Sequence, residues 1–356
     1  MATQDRYAYP VEGTSWTVPG SFDTRFNWEY EGGNEALLRL YEKGKDLQWN
    51  TTTRIDWSQD LDPENPQGLP DESIAIFGSP TWNKLDSKEK ANLRRHVQSW
   101  QLSQFLHGEQ GALICTAKIV QQVPSVEAKY YAATQVIDEA RHVESYSRLL
   151  HEKFELAYPI TPTLKSLLDN ILSDSRWDMT YLGMQVLIEG LALAAFASIR
   201  DQASNTLAAS VNAYVMQDEA RHVAFGRLAL RDYYPQLTQA ERDEREEFAV
   251  EACYLMRDRF LSEEVWETLG LPVEECVSYV EQSEIMREFR KRLFTRIVPT
   301  IKDIGLWGDK IRRAYAHMGV LDFAQIDSES LSQEDEAVAA PFDAEQSRPA
   351  SRASRA

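Results

Sequence analysis

The sequence predicts an all-α protein: a four-helix bundle with an extended N-terminal arm and additional C-terminal helices. Three observations carry that reading. From about residue 86 onward, apolar residues recur at helical spacing and few alternating β-branched runs appear. The hexapeptide Asp138–Val143 (DEARHV) returns unchanged at Asp218–Val223, 80 positions later, each time inside an apolar helix-like run. A lone acid stands 30 positions before the glutamate of each copy: Glu109 in LHGEQGAL and Glu189 in LIEGLAL. The whole unit therefore repeats, with Ala112–Leu113 and Ala192–Leu193 following in register.

Residues 1–85 are rich in Pro, Gly, Trp and Asn and read as an arm packed on the bundle rather than a separate domain. One helix is expected over residues 34–47, and the proline-rich stretch 60–80 reads as extended. The bundle domain with its added helices is expected over 86–320. Asp86 with Glu89 forms a capping-box pattern that opens a long helix to about Gln122. Pro124 and Ser125 break it and start a second helix, to about Phe154. YPITP at 158–162 is a connector, and a short helix follows near 164–173. The third long helix is expected over about 177–200, the DQASN turn at 201–205, and the fourth long helix over about 206–233. Thr238 with Glu241 opens a fifth, and helices continue to about Met318. The tail 321–356, Ser-, Glu- and Ala-rich from Asp327, has little to bury and is expected to be disordered.

A chain of 356 residues with 43% hydrophobic content can bury a sizeable core. Its formal net charge of −18 argues against non-specific binding to nucleic acid or anionic lipid. No apolar run reaches the roughly 20 residues of a membrane span, so no membrane partner is expected. The N-terminal MATQDRYAYPVEGTSW lacks the pattern of a signal peptide. Cys115, Cys253 and Cys276 show no paired spacing, which fits a reduced cytoplasm and no disulfide framework.

The chemistry lies in the repeat. Glu139 with His142, and Glu219 with His222, stand three apart and so share a helix face. Pro124 is the midpoint of 109 and 139, and the DQASN turn contains the midpoint of 189 and 219. Each glutamate thus lies about 22 Å from its turn on either side of a helical hairpin, at matching height. Two such hairpins packed face to face bring all six groups to one level. Four carboxylates buried together would suffer desolvation and mutual repulsion. Two divalent cations neutralise them and leave the imidazoles as neutral ligands, the di-metal carboxylate pattern of helical bundles. Mixed oxygen and nitrogen ligation with open positions suits iron or manganese. The competing reading is a set of salt bridges with Arg141 and Arg221. Asp138 and Asp218 suit the role of accepting the second ring N–H of a metal-bound histidine, with Arg141 and Arg221 balancing charge. The alternative for these aspartates is simple helix-surface charge.

These residues resemble the ferritin-like di-iron carboxylate superfamily. It includes bacterial multicomponent monooxygenase hydroxylases, ribonucleotide reductase small subunits and acyl-carrier-protein desaturases. The likeness covers about residues 86–235, and DEARH in both halves with GEQGA at 108–112 looks most like the monooxygenase hydroxylases. It implies that one metal takes Glu109, Glu139 and His142, and the other Glu189, Glu219 and His222, with Glu139 and Glu219 bridging. Leu193 stands where those hydroxylases carry a threonine. Asp138 stands where desaturases usually carry Glu. Val215 stands where arylamine N-oxygenases carry an additional histidine, which argues against that branch. Tyr146, one turn after His142, occupies the place of the radical tyrosine of ribonucleotide reductase small subunits. A packed, hydrogen-bonded tyrosine is the alternative there.

The resemblance implies a cytoplasmic, homodimeric di-iron oxygenase: two Fe ions, with Mn/Fe as a second composition, activate O2 to oxidise a small organic substrate. No flavin or iron–sulfur motif is visible, so electrons are expected from a separate reductase or ferredoxin. A radical-generating subunit using Tyr146 is the alternative, and a non-enzymatic ferritin-like iron-binding protein the second alternative. His96, His107, His151 and His317 lack matched partners and read as core or surface histidines. Trp100 and Phe105 read as core. The basic run Arg287, Arg290, Lys291, Arg292, Arg296, Lys310, Arg312 and Arg313 reads either as a docking face for a reductase or carrier, or as a solvated helix face.

Overall fold

The structure, a computed structural model, describes residues 6–11, 13–30 and 33–346. Its centre is four long helices. The first, Ser87–Gln122, opens on a complete capping box: Asp86 accepts from Glu89 N, and the Glu89 carboxylate accepts from Asp86 N, both at 2.8 Å. Val123, ahead of Pro124, turns extended and ends it. Ser125 caps the second helix, Val126–Arg148, by accepting from Ala128 N. The fourth, Thr206–Tyr233, is capped the same way by Asn205. The first packs along the second and the third along the fourth, while the second also meets the fourth.

Two departures from a regular helix matter. The second bundle helix passes into a π-helical segment, Leu149–Phe154, that ends at Glu155 in the left-handed region, φ 50°. The third, Trp177–Gln202, is interrupted by a longer π segment, Leu182–Ile188. The third helix is also long and apolar enough to cross a membrane by length and composition, which corrects the sequence reading that no run qualifies. Its most apolar window is 83% buried inside the protein, as expected of a core helix.

The arm is tied to this centre along its length. Ala8 N donates to Ala157 O, and Ala157 N donates to Arg6 O. Arg25 N donates to Gln121 O near the first hairpin turn. A helix at Glu35–Asp46, capped by Asn34, lies against the second bundle helix. Gly68 sits at φ 65°, with its carbonyl accepting from Ser204 N; a Cβ there would come within 2.1 Å of Ser204 Oγ. Among the described residues there is no strand ladder, only an isolated bridge between Tyr7 and Ala157.

The expectation of a disordered tail over 321–356 is corrected for the described part. Ser328–Glu336 and Ala340–Gln346 are helices. They gain order because the acids that made the tail look soluble meet arginines of the body. Arg296 holds the buried Asp335 by two bonds, at 3.0 and 2.7 Å. Arg227 joins Glu329 and Asp303. Lys43 pairs with Glu336, and Arg54 grips Asp343 at 3.1 and 2.7 Å. Ala339 is fully buried. The rest of the tail, 347–356, lies outside the described residues. Deleting residues 327–356 should lower the unfolding free energy by about 3–5 kcal/mol, the usual cost of breaking a buried ion pair. Urea denaturation measures this, and an unchanged midpoint would contradict a packed tail.

Candidate metal centre

Each of the four bundle helices delivers one acid to a single level. Glu109 comes from the first, Glu139 with His142 from the second, Glu189 from the third, and Glu219 with His222 from the fourth. All six side chains are buried. His142 Nδ1 lies 3.3 Å from an oxygen of Glu109, 3.3 Å from Glu139 and 3.0 Å from Glu219. His222 Nδ1 lies 3.0 Å from Glu139 and 3.4 Å from Glu219. Two donor sets result, Glu109/Glu139/His142/Glu219 and Glu139/Glu189/Glu219/His222, each with its donor atoms within 4.8 Å of one another. Glu139 and Glu219 belong to both.

His142 Nδ1 bonds Glu109 at 3.3 Å, but most of the converging donor atoms do not satisfy one another. Glu139 Oε2, Glu189 Oε2, both oxygens of Glu219 and His222 Nδ1 are buried with no hydrogen-bond partner. Unpaired buried polar atoms are costly and rare, so this donor set fits cations placed between its members. Protons respond to the same crowding. Burial together with Glu219 pushes Glu109 up to about 8, and Glu189 is raised well above its ordinary range by burial and the same neighbour. Burial opposes charge on the imidazoles, but the surrounding carboxylates outweigh it and raise both histidines. Glu139 is lowered: burial acts upward, but His222 and His142 overcome it.

A second layer surrounds the first, and its pairing is crossed between hairpins. His142 Nε2 faces Asp218 at 3.2 Å, and His222 Nε2 faces Asp138 at 3.2 Å. The aspartates are therefore not helix-surface charges. Arg221 reaches Asp218 at 2.5 Å, and Arg141 joins Asp138 and Asp218, the latter at 2.9 Å. Two arginines balance two aspartates here, leaving the four inner glutamates as the uncompensated charge. Trp49 Nε1 donates to Asp218 at 2.7 Å, and Gln48 Nε2 to Asp138 at 2.7 Å, while Arg141 donates to Gln48 Oε1. Inside the cluster, Gln135 Nε2 donates to Glu139 at 3.0 Å and to Glu189 at 3.2 Å.

Sequence reasoning missed Gln48, Trp49 and Gln135. Gln135 carried a local signal, since it stands one turn before Glu139 on the same helix face. Gln48 and Trp49 carried none. Their partners stand 90 and 169 positions away. The structure packs Tyr146 between Phe105 and Phe196, with ring centroids at 5.8 and 5.9 Å, and its hydroxyl donates to Asn212 Oδ1 at 3.1 Å. His96 and His107 bond Tyr158, away from the cluster. His151 bonds Ser147, and His317 lies against Tyr254. The basic run is divided: Arg287, Arg290 and Lys291 line an open groove, whereas Arg296 is spent on Asp335.

Beside the cluster runs a narrow, partly open cleft. Glu109, Glu189 and Glu219 form one wall, and Phe105, Ile188 and Phe196 supply apolar surface. Leu193 does not line it but borders a separate small cavity with Ala220 and Val223.

The crossed pairing makes a specific prediction. Asp138→Asn should weaken binding of the metal held with His222, on the opposite hairpin, by about 10–100-fold, and spare the site at His142. Stepwise Fe(II) titration under anaerobic conditions reads this as loss of one binding step; loss of the other step would contradict the pairing.

No curated protein sequence matches the chain. Among solved structures, it is similar to a mutant R2-like ligand-binding oxidase with anaerobically reconstituted Mn/Fe cofactor, with 18% identity and a TM-score of 0.44, covering 79% of this chain and 96% of that chain. An R2-like ligand-binding oxidase with aerobically reconstituted metal cofactor after photoconversion gives 17% identity and a TM-score of 0.40, covering 85% of this chain and 95% of that chain. The family described as p-aminobenzoate N-oxygenase AurF matches residues 31–305, well over half the chain. That match corrects the inference drawn from Val215. The position of the additional histidine is here a fully buried valine, yet the chain matches the family described as p-aminobenzoate N-oxygenase AurF. By this match the chain belongs to the p-aminobenzoate N-oxygenase AurF family, within the ferritin-like di-iron superfamily.

Proposed function

We propose that Glu109, Glu139, His142, Glu189, Glu219 and His222 hold two iron ions, and that the protein uses them with O2 to oxygenate a small organic substrate in the adjoining cleft. The family makes the chain a non-haem di-metal oxygenase. Its description makes an arylamine the first substrate class to try. The single observation that supports the ligand set best is the group of buried, unpartnered oxygens on Glu139, Glu189 and Glu219, all facing one centre.

Bound there, the iron pair supplies the redox equivalents for reducing O2. The chain's own residues do the rest. Glu139 and Glu219 are placed to be shared between the two sites, and Glu109 and Glu189 to serve one each. Asp218 and Asp138 fix the orientation of His142 and His222 through Nε2, which leaves each Nδ1 as the lone-pair donor. Gln135 tethers Glu139 to Glu189 across the hairpins. Phe105, Ile188 and Phe196 give the substrate an apolar seat and limit water. With Leu193 outside the cleft, no side-chain hydroxyl lines it among the described residues, and the cluster carboxylates are the proton acceptors in its wall.

The radical reading has weaker support. The Tyr146 hydroxyl donates to a neutral amide, Asn212, rather than to a carboxylate able to take its proton. An external reductase or ferredoxin as electron donor remains part of this proposal, as do a homodimer and a cytoplasmic setting. Ile114, Tyr130 and Ile137, exposed on the outer side of the first hairpin, support the dimer.

Anaerobic Fe(II) titration of the wild-type protein should saturate at two irons per chain, and Glu139→Ala and His222→Ala should each hold fewer. Retention of two irons by both variants would overturn the ligand set. On exposure to O2 with para-aminobenzoate or aniline, the two-iron protein should consume O2 and give an oxygenated product. A fully loaded wild-type protein that consumes no O2 with any arylamine would overturn the choice of substrate class.

A further inference from the structure

We propose that Arg259 sets the specificity of the cleft by binding the carboxylate of an anionic substrate, whose opposite end is thereby directed at the glutamate cluster. The inference deepens the oxygenase reading above and rests on it.

Arg259 directly follows the helix Gln239–Asp258, which packs against the π segment of the third bundle helix. It lines the same cleft as Glu109, Glu189 and Glu219, and it is the one cationic side chain among the described residues that do. The other polar side chain in the wall, Gln104, is already committed: its amide bonds Pro159 O and Thr161 N.

Arg257, two residues earlier, holds Asp258 at 2.6 and 2.8 Å. Arg259 makes no hydrogen bond or ion pair with any described residue, and its guanidinium lies 5.2 Å from the ring of Phe260. Burial lowers its pKa to about 10, and no carboxylate among the described residues counters that shift. The cluster glutamates therefore do not serve as its counter-ion, although they share its cleft. A desolvated cation without a partner weakens the fold, and one that points into a ligand cleft is satisfied by the ligand.

The class of anion follows from what is present. A guanidinium offers two parallel N–H donors that match a planar carboxylate. A phosphate, with more charge, calls for a second cation, and none lines the cleft among the described residues. Phe105, Ile188 and Phe196 line the same cleft and give it an apolar surface suited to a ring or short hydrocarbon. Fixing one end of a rigid substrate at Arg259 holds the other against the cluster, the kind of orientation that accounts for much of an enzyme's advantage. Phe260, the next residue, lines a separate, wider groove open to solvent.

The test compares charged and neutral ligands of the same shape on the anaerobic, iron-loaded protein. The probes are para-aminobenzoate against para-aminobenzamide, benzoate against benzamide, and hexanoate against hexanamide, read by calorimetry. The wild-type protein should prefer at least one carboxylate over its amide by about tenfold or more. Arg259→Gln should reduce that preference to about twofold or less, mainly by weakening the acid, while Arg259→Lys keeps part of it. Without ligand, Arg259→Gln should melt no lower than wild type, because the side chain it removes has no partner to lose. No carboxylate preference in the wild type, or a preference that survives in Arg259→Gln, would overturn the proposal; so would a clear drop in melting temperature of ligand-free Arg259→Gln. Iron content separates the two readings: a variant holding two irons per chain that fails here leaves the metal centre standing, whereas wild type that cannot hold two irons fails at the earlier step.

Discussion

Four glutamates packed side by side in an apolar interior are the constraint around which this molecule is arranged. Each carboxylate excluded from water costs several kcal/mol unless something of opposite charge stands beside it. Two divalent cations cancel that burden, and the geometry is consistent with them at every level: unpartnered oxygens face inward, and the imidazoles turn one nitrogen toward the centre and the other away. The long bundle helices hold these groups at one height. The hairpin turns at Pro124 and Ser204 set that height, because they lie midway between the paired glutamates.

The second layer explains why the hexapeptide is repeated whole rather than as Glu-x-x-His alone. Each Asp serves the histidine of the other hairpin, and each Arg neutralises the aspartates. The two copies of DEARH interlock across the bundle, so neither hairpin can orient its own histidine without its mate. Within that ring the two arginines balance the two aspartates, and inside it the glutamates remain to attract metal.

Much of this could be read before folding was considered. The six candidate ligands came from spacing, and the capping boxes at Asp86 and Thr238 from short polar patterns; the structure brings the six together and forms both boxes. Other features depend on distant parts of the chain and leave no local trace. The crossing of Asp138 and Asp218 requires two hairpins in register. Trp49 and Gln48 act through tertiary contact alone. The π segment at Leu182–Ile188 breaks the 3.6-residue period just before Glu189, so that period could not give the acid's rotation about its axis. The tail misled because its acids suggest solvation, while their arginine partners at 227 and 296 lie elsewhere in the sequence. Nothing in the sequence around Arg259 singles it out; its position in the cleft and its lack of a counter-ion among the described residues do.

The arm's placement of Trp49 and Gln48 on the two second-layer aspartates carries a thermodynamic consequence. A segment that orients the groups orienting the metal ligands shares a coupling free energy with the metals, and coupling of this kind is reciprocal. Cation occupancy therefore tightens the hold on residues 47–50, and a loosened arm relaxes the grip on the ions by an equal factor. The N-terminal region, which at first sight is a wrapper around the enzyme, belongs to the binding equilibrium of its cofactor.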